Sequence, residues 1–122
     1  MKDNIKAWRK NNPDRCRAGA ILREHASCGI RTLIPTSYLE GLLVGSTHCS
    51  ICGCELNHEL GTGYSSNSPS MDRIDNEDEI RYDNIWIVCR KCNSTKSDRT
   101  MKEFYDYCKS ITEKFKSTYE GE

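Results

Sequence analysis

A chain of 122 residues is short enough for one domain, and its 18 Lys/Arg match its 18 Asp/Glu, so net charge alone points to no polyanionic partner. No run approaches the roughly 18 apolar residues of a membrane span, and the Met1–Lys6 start lacks the apolar centre of a signal peptide. The expectation is a cytoplasmic protein with no membrane partner, in which eight cysteines argue for metal rather than disulfides.

The charge is unevenly spread. Residues 1–31 carry eight Lys/Arg against three acids, and residues 72–83 carry six acids against two Arg. A basic arm beside an acidic pocket suits a protein that grips a polyanion and holds a cation next to it. Few aromatics and 30% charged residues leave a modest core, to which a bound metal would add folding energy.

Taken in order, residues 1–31 read as helical, with Asp3 capping a turn that carries Ile5 and Trp8. Pro13 suits a helix start, Ala18, Ile21, Leu22 and His25 recur at helical spacing, and Cys28-Gly29 ends the run. His25 reads as a half-buried helix residue, and Cys16 and Cys28 as packed thiols. Pro35-Thr36-Ser37 opens a second helix with a Ser37/Glu40 capping box, and Gly45 closes it. Residues 57–69 form a polar loop, mobile until something docks. Met71–Ile74 and Asn84–Val88 read as paired strands joined by the acidic loop 75–83. Cys92 falls at the start of a helix running to about Ser97. Thr100 and Glu103 form a capping box for a last helix, whose face carries Met101, Phe104, Cys108, Ile111 and Phe115.

Cys49-Ser50-Ile51-Cys52-Gly53 has the form of a zinc knuckle, with backbone amides donating to inward-facing sulfurs. Cys89-x-x-Cys92 supplies a second pair. Four thiolates from Cys49, Cys52, Cys89 and Cys92 suit a closed structural zinc site, and the gap between the pairs fits a knuckle, a hairpin and a helix start, the treble-clef arrangement. Cys54 is a competing ligand, less favoured because Cys49 and Cys52 have the better spacing. Such a clamp turns Asn93 toward the strand bearing Asp72. A carboxylate and an amide oxygen meeting there would hold Mg²⁺ or Mn²⁺, and Arg73 would brace a phosphate.

Ser70-x-Asp72-Arg73-Ile74-Asp75-Asn76, Asn84-Ile85-x-x-Val88-Cys89 and Cys92-Asn93-x-x-Lys96 together resemble the HNH endonucleases, and more narrowly their small zinc-bearing phage branch. The resemblance covers about residues 36–111, including Lys96-Ser97-Asp98-x-Thr100. It implies an α+β, ββα-metal fold flanked by N- and C-terminal helices, and metal-dependent hydrolysis or nicking of DNA. By position it makes Asp72 the first metal ligand, Asn84 the residue that ties loop to strand, Asn93 the second ligand and Lys96 a phosphate contact. Arg73 departs from the pattern: the usual residue after the first ligand is a general-base His, and a guanidinium cannot take a proton. His58 is the nearest substitute in sequence and His48 the next. The predicted organisation is one domain, with a basic helical part over 1–46, a zinc core over 47–98 and a helix over 99–118. Arg15 and Arg17 would join Lys96 and Arg73 on the DNA backbone. The alternative is a catalytically inactive zinc-stabilised module that binds nucleic acid or protein, for example a phage inhibitor of a host enzyme.

Overall fold

The computed structural model describes residues 2–59 and 65–121. Helices α1 (Lys2–Asn11), α2 (Pro13–Ser27) and α3 (Thr36–Val44) precede strands β1 (Pro69–Arg73) and β2 (Ile85–Cys89). Helices α4 (Arg90–Lys96) and α5 (Met101–Tyr119) follow. None of the described helices is long and apolar enough to cross a membrane.

Local chemistry explains most boundaries. Asn12 occupies the N-cap of α2 with Pro13 just inside it, where a missing N–H costs nothing. Gly29, at φ +80°, lets the chain turn away after Cys28. Thr100 accepts from the Glu103 amide at 3.1 Å while the Glu103 carboxylate accepts from the Thr100 amide at 3.3 Å, so α5 has the expected capping box. The Ser37/Glu40 box does not form. The helix begins two residues earlier, with extended Pro35 at its N-cap and no side-chain cap, and Glu40 instead pairs with Arg15 at 3.1 Å.

β1 and β2 pair antiparallel, with Met71 opposite Ile87 and Asp72 opposite Trp86. Met71, Ile85, Ile87, Val88 and Cys89 join Leu39, Leu43, Ala18, Ile34, Leu56 and Ile80 in one buried cluster. The acidic loop between the strands is anchored at both ends of its course. Asn84 accepts from the Asp75 amide at 2.8 Å and donates to the Asp75 and Glu79 carbonyls at 3.0 and 2.9 Å. Farther along, Ile80 bridges to Thr32 in parallel, and its backbone bonds Arg31 and Leu33. That bridge fixes the segment after α2 against the hairpin tip.

Two sequence expectations fail on burial. In α5 only Phe104 is buried; Ile111 and Phe115 remain 44% and 45% exposed, and the Cys108 thiol is also exposed. The stripe is real as a spacing, but the body of the protein covers only its first turn. Cys28 is exposed as well, so it is no packed thiol. Of the polar loop expected to be mobile over 57–69, the described parts are tied down, the Asn57 amide donating to the Asn67 carbonyl at 3.0 Å and the Arg90 and Lys91 amides to the Ser68 and Ser66 carbonyls at 2.9 and 3.0 Å; residues 60–64 lie outside the described residues.

Candidate metal centre and adjoining pocket

The sulfur atoms of Cys49, Cys52, Cys89 and Cys92 all lie within 4.8 Å of one another. Both turns have knuckle form. The amides of Ile51 and Cys52 donate to the Cys49 sulfur at 3.3 and 3.4 Å, and the Cys92 amide donates to the Cys89 sulfur at 3.3 Å. Gly53, at φ +80°, supplies the left-handed turn that the first knuckle needs. Oriented amides favour the thiolate form. The Cys54 amide leads in drawing the Cys52 thiol down to about 6. Burial raises the Cys49 thiol, but the amides of Cys52, Cys89 and Ile51 outweigh it and the net shift is downward. Burial and the neighbouring Cys89 thiol push Cys92 upward. A metal ion binding these sulfurs would displace their protons to solvent. Cys54 stays outside the cluster, its thiol pushed up to about 12, first by burial and then by Cys52 and Cys89. Of the two, Cys52 belongs to the clustered set and Cys54 does not.

The second feature follows from matching two periods. Ser70 and Asp72 are two apart on β1, so they share a face with a spacing of roughly 7 Å. Asn93 and Lys96 are three apart on α4, and they share a helix face at about 5–6 Å. The two rows meet. Asn93 donates to the Ser70 hydroxyl at 2.6 Å, and the Lys96 ammonium reaches the Asp72 oxygens at 3.0 and 3.2 Å. The Trp86 indole donates to Asp72 Oδ2 at 2.7 Å from the opposing strand. Asp72 is 2% exposed and Lys96 0%.

Asp72 and Asn93 line one pocket of about 270 Å³, together with His25, Met71, Arg73, Asn76, Ser97 and Asp98. Asn76 donates to the Ser97 and Arg99 carbonyls at 3.4 and 3.2 Å, holding the turn after α4. Ser97 takes φ 54° and ψ −127°, a backbone region that favours glycine. His25 Nδ1 lies 2.8 Å from the Ile21 carbonyl, one helical turn back.

Several expected contacts fall elsewhere. Lys96, expected on a phosphate, has its ammonium buried against Asp72 instead. Arg17 is spent on structure: it reaches Asp14 and the His58 carbonyl, both at 3.3 Å, with its side chain only 10% exposed. His58 is no base for this pocket. Its Nδ1 sits 2.7 Å from Asp14 and its Nε2 2.8 Å from the Ser46 carbonyl, so both ring nitrogens are occupied and the ring does not line the pocket. His48 is a knuckle residue bonded to Thr47. Arg15 is exposed beside Glu40, and Arg73 lines the pocket while donating to the Asp78 carbonyl at 2.7 Å. His25, read from sequence as a half-buried helix residue, is half-buried and also lines the pocket, a placement that nothing local to residue 25 announces. Asp98, inside the Lys96-Ser97-Asp98 motif, lines it as well.

A comparison with solved structures finds the HNH restriction endonuclease PacI, described as rare-cutting, at a TM-score of 0.60. The match covers 85% of this chain and 80% of that one at 18% identity. The fold is HNH-like. No family model and no curated protein matches the sequence. In this HNH-like fold β1, β2 and α4 form the ββα unit, and the sulfur cluster clamps β2 and α4 to the knuckle.

Proposed function

We propose that the protein is a zinc-stabilised, metal-dependent DNA endonuclease that hydrolyses or nicks phosphodiester bonds. The observation that carries this reading is that Asp72 of β1 and Asn93 of α4 line one pocket in an HNH-like ββα unit. PacI is a restriction endonuclease, and DNA as a substrate comes to this chain from that likeness and from its motifs.

The donor sets fit two different ions. Four thiolates suit zinc, held by Cys49, Cys52, Cys89 and Cys92 in a closed structural role. The pocket offers oxygen instead. A carboxylate has about four lone-pair sites, and the bonds from Trp86 and Lys96 leave Asp72 one direction for a hard cation. The Asn93 amide oxygen and Asp98 would complete the protein's share. When bound, Mg²⁺ or Mn²⁺ would polarise the scissile phosphate and stabilise the leaving oxygen. Arg73 would brace a phosphate oxygen, and the exposed Arg9, Lys10, Arg15 and Arg23 would hold the duplex backbone in a salt-sensitive grip. Because Lys96 already balances Asp72, a dication gains most at this pocket when a phosphate arrives with it.

The same ion pair, with Arg73 in the usual place of the base, favours a second reading: a catalytically inactive module that binds nucleic acid or a host or phage protein. Plasmid nicking in Mg²⁺ or Mn²⁺ separates the two. Asp72→Asn is a gentler control than Asp72→Ala, because its amide oxygen can still accept from Trp86 or Lys96. Nicking by the wild type, abolished by EDTA and lowered at least ~10²-fold in Asp72→Asn, is the expected result. Equal behaviour of wild type and Asp72→Asn, with the fold intact, would give the case to the binding module.

A further inference from the structure

We propose that His25, on α2, accepts the proton of the attacking water. The inference rests on the nuclease reading and supplies the base that reading lacks. Arg73 is permanently protonated and is turned to the Asp78 carbonyl. The chain has three histidines: His58 has both ring nitrogens bonded, to Asp14 and Ser46, and His48 lies at the knuckle beside Thr47, away from the pocket. His25 alone among them lines the pocket of Asp72 and Asn93.

Its orientation suits the task. The Ile21 carbonyl only accepts, so the hydrogen bond at 2.8 Å requires a proton on Nδ1. In the neutral ring Nε2 then carries the lone pair. The ring is half-buried, and α2 is fixed to the hairpin tip through the Thr32–Ile80 bridge that follows it. The groove continues from this pocket past Met71, Ser70 and Asn93 along the same face of α2, lined also by Ile21 and Glu24. A phosphodiester lying in that groove would pass between the Asp72 side and the His25 side. The water oxygen attacks phosphorus and its proton passes to Nε2. The bond from phosphorus to the leaving sugar oxygen breaks, and that oxygen takes a proton from solvent. One strand end keeps the phosphate and the other gains a hydroxyl.

The test uses the full-length zinc-loaded protein. His25→Asn keeps a donor near the Ile21 carbonyl and removes the base. A loss of roughly 10²–10⁴-fold in nicking rate is expected, with the thermal melt, DNA affinity in EDTA and Mn²⁺ affinity all unchanged. In His25→Ala, imidazole added to the buffer should restore nicking. Independently of activity, nitrogen-15 NMR of the neutral wild-type ring should show the Nδ1–H tautomer. An Nε2–H tautomer, a His25→Asn variant that keeps pace with wild type, or one whose Mn²⁺ affinity collapses would each overturn the assignment. The outcomes also separate the two claims. A wild type that leaves DNA intact sinks the nuclease reading and this inference with it. A wild type that nicks beside an equally active His25→Asn sinks this inference alone.

Discussion

The sulfur cluster and the Asp72 pocket are built on the same hairpin and the same short helix, yet they handle charge in opposite ways. At the cluster, backbone amides draw down the Cys49 and Cys52 thiols, while burial and thiol neighbours hold Cys92 up. Soft donors converge in a set that suits a cation. At the pocket, the acid is already neutralised from within by Lys96. An ion at the first site would add folding energy. The second already balances its own carboxylate. The contrast separates a metal that holds the fold from one that would serve a reaction.

The sharpest way to break that contrast is to remove a sulfur. Cys89→Ser should lose stoichiometric zinc by elemental analysis and lose its cooperative melt, because metal-binding energy of about 10–16 kcal/mol is folding energy at such sites. A variant that keeps both would mean the cluster does not organise the fold. Next in size is the buried pair. Lys96→Met should cost about 3–5 kcal/mol in urea unfolding, since it leaves a desolvated carboxylate without its partner. The double variant Lys96→Met, Asp72→Asn should recover most of that loss. Recovery would show that the pair is closed on itself; a simple sum of two losses would show that Lys96 serves something besides Asp72.

Much of this was legible in the sequence where the signal is local. The two Cys-x-x-Cys pairs, the Thr100/Glu103 box, Pro13 and Gly45 each act over a few residues, and each took the expected place. The hairpin was legible from its β-branched run, though β1 starts two residues earlier than expected. Contacts between distant segments were not legible. Lys96 reads as a phosphate contact until α4 is laid on β1 and its row meets Asp72. Arg17 and His58 read as basic grip and candidate base until Asp14 brings them together, 44 residues apart for His58 and Asp14. The stripe on α5 misled in the other direction: spacing identifies a face but not whether anything covers it.

Ser97 carries a smaller lesson. An L-residue at its φ and ψ is strained by about 1–3 kcal/mol, and glycine would relieve most of this. Ser97→Gly should therefore raise the melting temperature by a few degrees in a calorimetric scan; a lower one would show that the hydroxyl outweighs the strain. The same exchange would slacken the hinge that presents Asp98 to the pocket. Sturdiness and precision would then part company at one residue, and natural selection would have kept the tauter, less durable version.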